Sequence, residues 1–194
     1  MAVLLTVTIF GLGKIKWAPG TWGSLAAFPL AFIIFQLIGI YDFSFYFTGL
    51  TLQENYLVTI PIILFISSWV VFVIGVFASH LYIKDKKDHD PSEVVIDEVA
   101  GQLLVIAGAI PSVAFMMDSK ALEYVSNESL ELILLFLLPF ALFRLFDITK
   151  PWPIKSIEER FPNALGIMID DMLAAIFAII IHYVIIFTIL DLLS

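Results

Sequence analysis

From Leu57 to Ser79 the chain carries no charged residue. That run is long enough to cross the ~30 Å hydrocarbon core of a bilayer as a helix. Inside hydrocarbon every backbone N–H and C=O must find its partner within the protein, so an isolated apolar run of this length spans as a helix. Four other runs read the same way: Gly23 to Ile40, interrupted by Pro29 and Gln36; Val99 to Met117; Leu132 to Phe146, short unless its polar end is included; and Met172 to Leu190. Composition agrees, with 61% hydrophobic and 14% charged residues, where soluble domains carry about 25% charged. The expected fold is all-α: one domain over residues 1–194, a polytopic membrane helical bundle of about five spans.

Met1 to Gly13 is too short to span and reads as an interfacial or re-entrant segment. It has no basic stretch ahead of its apolar residues and no convincing cleavage motif, so a signal peptide is not expected. Lys14, Lys16, Lys84, Lys86, Lys87, Arg144, Lys150, Lys155 and Arg160 fall at one set of helix ends, and only Lys120 at the other. By the positive-inside rule the basic set is cytoplasmic with the N-terminus, and the C-terminus lies outside. A net charge of −8 argues against nucleic acid as a partner. The absence of cysteine removes disulfides, thiolate zinc sites and cysteine nucleophiles. No internal repeat of the kind found in many transporters is visible.

Charge is scarce in the spans, which makes Phe143-Arg144-Leu145-Phe146-Asp147-Ile148-Thr149-Lys150-Pro151-Trp152-Pro153-Ile154 informative. Arg144, Asp147 and Lys150 follow one another at intervals of three, along one face of a helix. Pro-Trp-Pro stops that helix, and Trp152 suits the membrane–water interface. Ionisable groups in such a place are costly and usually functional, so the motif reads as half of an active site.

Other acids are expected on the same side. Asp90-Pro91-Ser92-Glu93 has the form of a helix start with a cap, an N1 proline and a capping-box acid. That start would put Asp97 and Glu98 two turns inside the helix, about 10 Å in. Asp170 and Asp171 stand at the mouth of the fifth span. Helix-end capping accounts for one acid per helix but not for adjacent acid pairs at two helix starts, where each pair repels itself. Hard oxygen ligands without cysteine suit Mg²⁺ or Mn²⁺, with Asp97, Glu98, Asp147, Asp170 and Asp171 as candidate ligands. A divalent ion would invert the local sign and let an acidic protein clamp a phosphoryl group, with Arg144 and Lys150 on the remaining oxygens.

The stretch Gly11 to Ser24 is rich in turn formers and contains Lys14, Lys16, Trp17 and Trp22. It is either a polar lead-in with interface anchors or a phosphate-contacting loop, in which glycines admit close approach and Lys14, Thr21 and Ser24 bind substrate. Among the histidines, His182 reads as a packing residue, His80 as interfacial, and His89 as a possible support for the acids.

Four stretches, taken together, resemble the phosphatidylglycerophosphatase A family. They are Ala18-Pro19-Gly20-Thr21-Trp22-Gly23-Ser24, His89-Asp90 through Val95-Ile96-Asp97-Glu98-Val99-Ala100-Gly101, Phe143 to Ile154, and Gly166-Ile167-Met168-Ile169-Asp170-Asp171. The resemblance covers about Gly11 to Ala175 in the family's order. It implies a bacterial inner-membrane, Mg²⁺-dependent enzyme with its site on the cytoplasmic face, converting the anionic lipid phosphatidylglycerophosphate to phosphatidylglycerol and phosphate. Pro162-Asn163-Ala164-Leu165 replaces a glycine-rich run of the family, and Ala175 stands where glycine is common. Neither departure removes a candidate ligand. The catalytic set is then Asp97, Glu98, Arg144, Asp147, Lys150, Asp170 and Asp171, working by metal-assisted attack of water.

Two alternatives remain: a phosphatase of another lipid phosphate, and a cation transporter using the same carboxylates. A transporter would need acids near mid-span, where only His182 and small polar groups occur. The signatures of CDP-alcohol transferases and of the vanadate-like lipid phosphatases are absent.

Overall fold

The computed structural model describes residues 1–45, 49–86, 91–118 and 128–193. Its helices are α1 (Ala2–Val7), α2 (Pro19–Ile40), α3 (Leu52–Ile83), α4 (Ile96–Asp118), α5 (Glu128–Leu132), α6 (Leu138–Thr149), α7 (Ile154–Arg160) and α8 (Ala164–Leu193). A π-helical turn, Ile133–Leu137, joins α5 to α6, so Ser129–Thr149 runs as one span. With α2, α3, α4 and α8 this makes five helices long and apolar enough to cross a membrane, and among the described residues there are no strands.

The helices outrun the apolar runs that announce them. Helix α3 begins at Leu52 because Thr51 and Glu54 form a reciprocal capping box, with Thr51 N–H donating to Glu54 Oε2 at 2.7 Å. It reaches Ile83, a length of about 48 Å. Helix α8 begins at Ala164 because the Asn163 side chain accepts from the Leu165 N–H at 2.9 Å and the Gly166 N–H at 3.2 Å. Pro162-Asn163-Ala164-Leu165 is thus a helix start, and Asp170 and Asp171 lie two turns inside α8 rather than at its mouth.

The expected helix start at Asp90 does not hold. Asp90 and His89 lie outside the described residues, but Pro91 to Val95 is a turn, and α4 begins only at Ile96. The cause is tertiary: the Val95 N–H donates to the Val7 carbonyl at 2.9 Å, and the Glu93 carbonyl is packed against Gly13. The Glu93 side chain, instead of closing a capping box, pairs with Lys86 and accepts from the Tyr82 hydroxyl. Those bonds hold its carboxyl below the usual carboxylate range. Asp97 and Glu98 therefore occupy the first turn of α4.

Helix α4 is the hub. Of its spanning window 72% is buried, against 17% to 28% for the other four spans. A fully enclosed helix must be apolar all round or have its polar groups satisfied or used, and α4 carries Asp97 and Gln102 into the interior. Small residues set the packing, as expected where bilayer lipid competes with helix contacts. A side chain at Gly108 would strike Ile179 of α8, one at Gly75 of α3 would strike Met168, and the Ser68 hydroxyl donates to the Ala100 carbonyl at 2.8 Å.

Candidate active site

The starts of α2, α4 and α8 and the end of α6 meet at one end of the bundle. Helix α8 begins nearly two turns earlier than its acids, and this brings Asp170 and Asp171 level with the first turn of α4. Gly101 makes the meeting possible: a Cβ there would lie 2.6 Å from the Phe143 ring and 3.0 Å from the Asp171 carbonyl. Ligand oxygens of Asp97, Glu98 and Asp171 all lie within 4.8 Å of one another. Glu98 Oε2 and Asp171 Oδ2 are buried atoms without a hydrogen-bond partner.

Asp147 and Asp170 flank this trio, each tied to a cation. Asp147 pairs with Arg144 one turn earlier on α6. Asp170 Oδ2 accepts from Lys150 Nζ at 2.6 Å, while its Oδ1 accepts from the Asp171 N–H at 3.0 Å. Lys150 ends α6 with φ +39°, a left-handed conformation that a side chain adopts at some cost. The strain turns the chain out of the helix and leaves the ammonium on Asp170. Arg144 also reaches Glu98 Oε1 at 3.8 Å and donates to Ser24 Oγ at 3.4 Å. Among the described residues the site thus gathers five carboxylates and two cations, with side-chain exposures of only 5–23% for the ion-paired groups.

The glycines of residues 18–24 make room for other parts of the protein. A Cβ on Gly20 would collide with Glu98 Oε1 and come within 2.9 Å of the Arg144 guanidinium; one on Gly23 would meet the Val95 carbonyl at 2.9 Å. The bare face of α2 is a wall against which Glu98 and Arg144 rest. Ser24 belongs to that wall, since its hydroxyl is buried, donates to the Gly20 carbonyl at 2.9 Å and meets Arg144. Thr21 is half-buried on the same turn, and Lys14 is exposed at the end of the short 3₁₀ turn Leu12–Lys14, near Glu93. Among the described contacts none joins Lys14 or Thr21 to the carboxylates.

Gly20, Gly23 and Gly101 are the residues whose role sequence reasoning missed. Their signal was small residues spaced along one face, which is also how ordinary membrane helices pack. Gln102, one turn beyond Glu98, is fully buried with neither amide atom bonded. His182 is the packing residue expected: its ring nitrogens contact Ser112 Oγ at 3.1 Å and the Leu134 carbonyl at 2.9 Å, deep in the bundle. His182→Ala should therefore lower the melting temperature and leave phosphate release in a folded sample within about twofold of the parent, because surface and packing losses away from a site spare its geometry.

The donor set fits a hard divalent cation. Three carboxylates converge, two of their oxygens are buried and unpartnered, and among the described residues no softer ligand joins them. Like charges packed this closely at the edge of a low-dielectric layer favour a counter-ion or a taken-up proton.

Comparison with known proteins is consistent with this geometry. The family profile of phosphatidylglycerophosphatase A matches residues 5–186. The phosphatidylglycerophosphatase A of Haemophilus influenzae is 36% identical over 176 residues, covering 91% of this chain and 83% of the relative. That of Escherichia coli K12 is 30% identical over 167 residues, covering 86% and 73%. A protein of Bacteroides thetaiotaomicron whose name proposes a phosphatidylinositol-3-phosphatase is 33% identical over 177 residues, covering 91% and 89%. No solved structure matches. The profile spans nearly the whole chain, all four motifs included, and the chain belongs to the phosphatidylglycerophosphatase A family.

Proposed function

We infer that the chain hydrolyses phosphatidylglycerophosphate to phosphatidylglycerol and inorganic phosphate, at the end of the bundle where α2, α4, α6 and α8 meet. The observation that carries the reading is the buried trio Asp97, Glu98 and Asp171 in a member of this family. These three would hold Mg²⁺, with Asp147 and Asp170 beside them. When bound, the ion supplies positive charge to the phosphoryl oxygens and assists water as the nucleophile.

The chain's own groups then have defined tasks. Arg144, braced by Asp147, Ser24 and the Gly20 wall, presents its planar fork to a phosphate with little freedom left to lose. Lys150 is a point charge on the other side, steadied by Asp170. Water forms a new P–O bond as the bond from phosphorus to the lipid's glycerol oxygen breaks; the released alcohol is phosphatidylglycerol. Each described Asp at this end of α4, α6 and α8 lies in an ion pair or in the trio, which favours direct attack over an aspartyl-phosphate. A chiral phosphorothioate substrate should therefore show inversion at phosphorus, and retention would overturn direct attack.

The test of the function is phosphate release by purified protein in detergent, with phosphatidylglycerophosphate, phosphatidylinositol 3-phosphate and phosphatidate compared. Activity should disappear in EDTA and return with Mg²⁺. Full activity in chelator would eliminate the metal reading, and a preference for the phosphoinositide would move the substrate towards the name of the Bacteroides relative.

The site faces the cytoplasm of a bacterial inner membrane in this reading. The support is charge: Lys14, Lys16, Lys84, Lys86, Lys150, Lys155 and Arg160 share the site's end of the bundle. A reporter after Ser194 should read as periplasmic and one inserted after Lys84 as cytoplasmic. The reverse pattern would place the site outside.

A further inference from the structure

A cavity of about 560 Å³ opens on the membrane face between α2 and the span that ends in α6, lined by Leu25, Phe28, Leu132, Ile133, Phe136, Leu137 and Phe140. Its position relative to the site is fixed by the same two helices. Leu25 follows Ser24, Phe28 lies one turn deeper, and Phe140 lies one turn below Arg144. Ser24 and Arg144 touch at 3.4 Å directly above it. The groove thus begins one helical turn below the guanidinium and runs towards mid-membrane, about 12 Å along the span from Phe140 to Leu132. Its volume lies within the range of small-molecule sites.

The wall is built rather than incidental. Ile133, Phe136 and Leu137 all belong to the π-helical turn, a feature that adds a residue to the helix and is often found at functional sites. Behind the wall, the Leu134 carbonyl of the turn lies 2.9 Å from His182 Nε2 of α8. In front, Phe28 faces Phe136 and Phe140 with ring centroids 5.8 and 6.1 Å away. Leu25, Leu132, Ile133, Phe136 and Leu137 are exposed, leaving the groove open to the bilayer.

We propose that this groove holds one acyl chain of the lipid whose terminal phosphate sits at Arg144 and the carboxylates. The proposal rests on the phosphatase reading above and adds the substrate's second anchor. A phosphate held at the mouth and a chain laid between α2 and the π turn fix the glycerol between them. Remote binding of this kind orients the reacting phosphorus without touching it.

Two experiments test it. In the first, a diacyl phosphatidylglycerophosphate bearing a diazirine at mid-chain is photolysed with the protein in lipid nanodiscs, beside phosphatidylcholine bearing the same group. The substrate probe should label residues 25–28 and 132–140, and excess unlabelled substrate should suppress that labelling. Labelling spread over the exposed faces of α3 and α8, or undiminished by competitor, would overturn the groove. In the second, kcat/KM is measured for long-chain substrate and for its chainless headgroup, glycerophosphoglycerol phosphate. Leu137→Trp and Phe28→Ala should each lower the long-chain to chainless ratio by about tenfold relative to the parent, the discrimination an apolar pocket gives for altered fit. Phe77→Trp, on the lipid face of α3, should leave the ratio alone. An unchanged ratio in both groove variants would sink the proposal. Parent protein that hydrolyses neither substrate would instead refute the phosphatase reading, so the two failures are distinct.

Discussion

Asp171→Asn should release phosphate at least ~10²-fold more slowly than the parent, the usual loss when one charge-stabilising contact to a reacting group is removed. Asp171 is nearly fully buried, belongs to the trio with Asp97 and Glu98, and has an oxygen without a hydrogen-bond partner. A carboxylate placed there for structure alone would be costly, since it desolvates a charge beside two like charges. The same substitution should therefore raise the melting temperature in EDTA, by relieving repulsion, even though it slows turnover in Mg²⁺. Mg²⁺ should raise the parent's melting temperature, because a ligand that binds only the folded state stabilises it. It should raise the variant's far less. An Asp171→Asn protein with the parent's response to Mg²⁺ would remove Asp171 from the metal site, whatever its activity.

Gly20→Ala should also cost about 10²-fold in turnover, the penalty expected when a reacting constellation moves by about 1 Å. Gly20 lies in the first turn of α2 and has no left-handed backbone, so alanine suits it conformationally and should even favour the helix. Space is what forbids the methyl, which would sit against Glu98 Oε1 and the Arg144 guanidinium. The loss should appear in kcat with a folded protein. Gly39→Ala, near the other end of the same helix with nothing within 4 Å of its Cβ position, should be neutral or stabilising. Parent-like turnover by Gly20→Ala would mean that Glu98 and Arg144 need not be held where the α2 wall holds them.

The two substitutions differ in how visible their targets are from sequence. Asp171 stands out because an acid pair at the edge of an apolar run is conspicuous, and composition makes every charge in this chain informative. Gly20 does not stand out, because a glycine before a helix has many ordinary uses. Its role depends on residues 78 and 124 positions away along the chain, Glu98 and Arg144. The same limit explains the helix start misplaced at Asp90. Asp-Pro-Ser-Glu is a sound local cap, but Val95 gives its N–H to the Val7 carbonyl and the Glu93 carbonyl packs against Gly13, contacts that no local pattern encodes.

By itself the sequence determined the all-helical membrane class, the five spans, and the identities of the acids and cations that gather at one end of the bundle. These follow from the cost of bare backbone and bare charge in hydrocarbon, which acts on every residue locally and leaves its mark in composition and spacing. Only the tertiary structure decided how five acids divide, with Asp97, Glu98 and Asp171 converging while Asp147 and Asp170 are each neutralised by a neighbouring cation. It also decided that α4 lies at the centre and that α8 begins early enough to bring its acids level with those of α4. The physical reason is that helix–helix depth and rotation are set by close packing at Gly23, Gly75, Gly101 and Gly108. Such contacts join residues far apart in the chain, and no periodicity within a single helix specifies them.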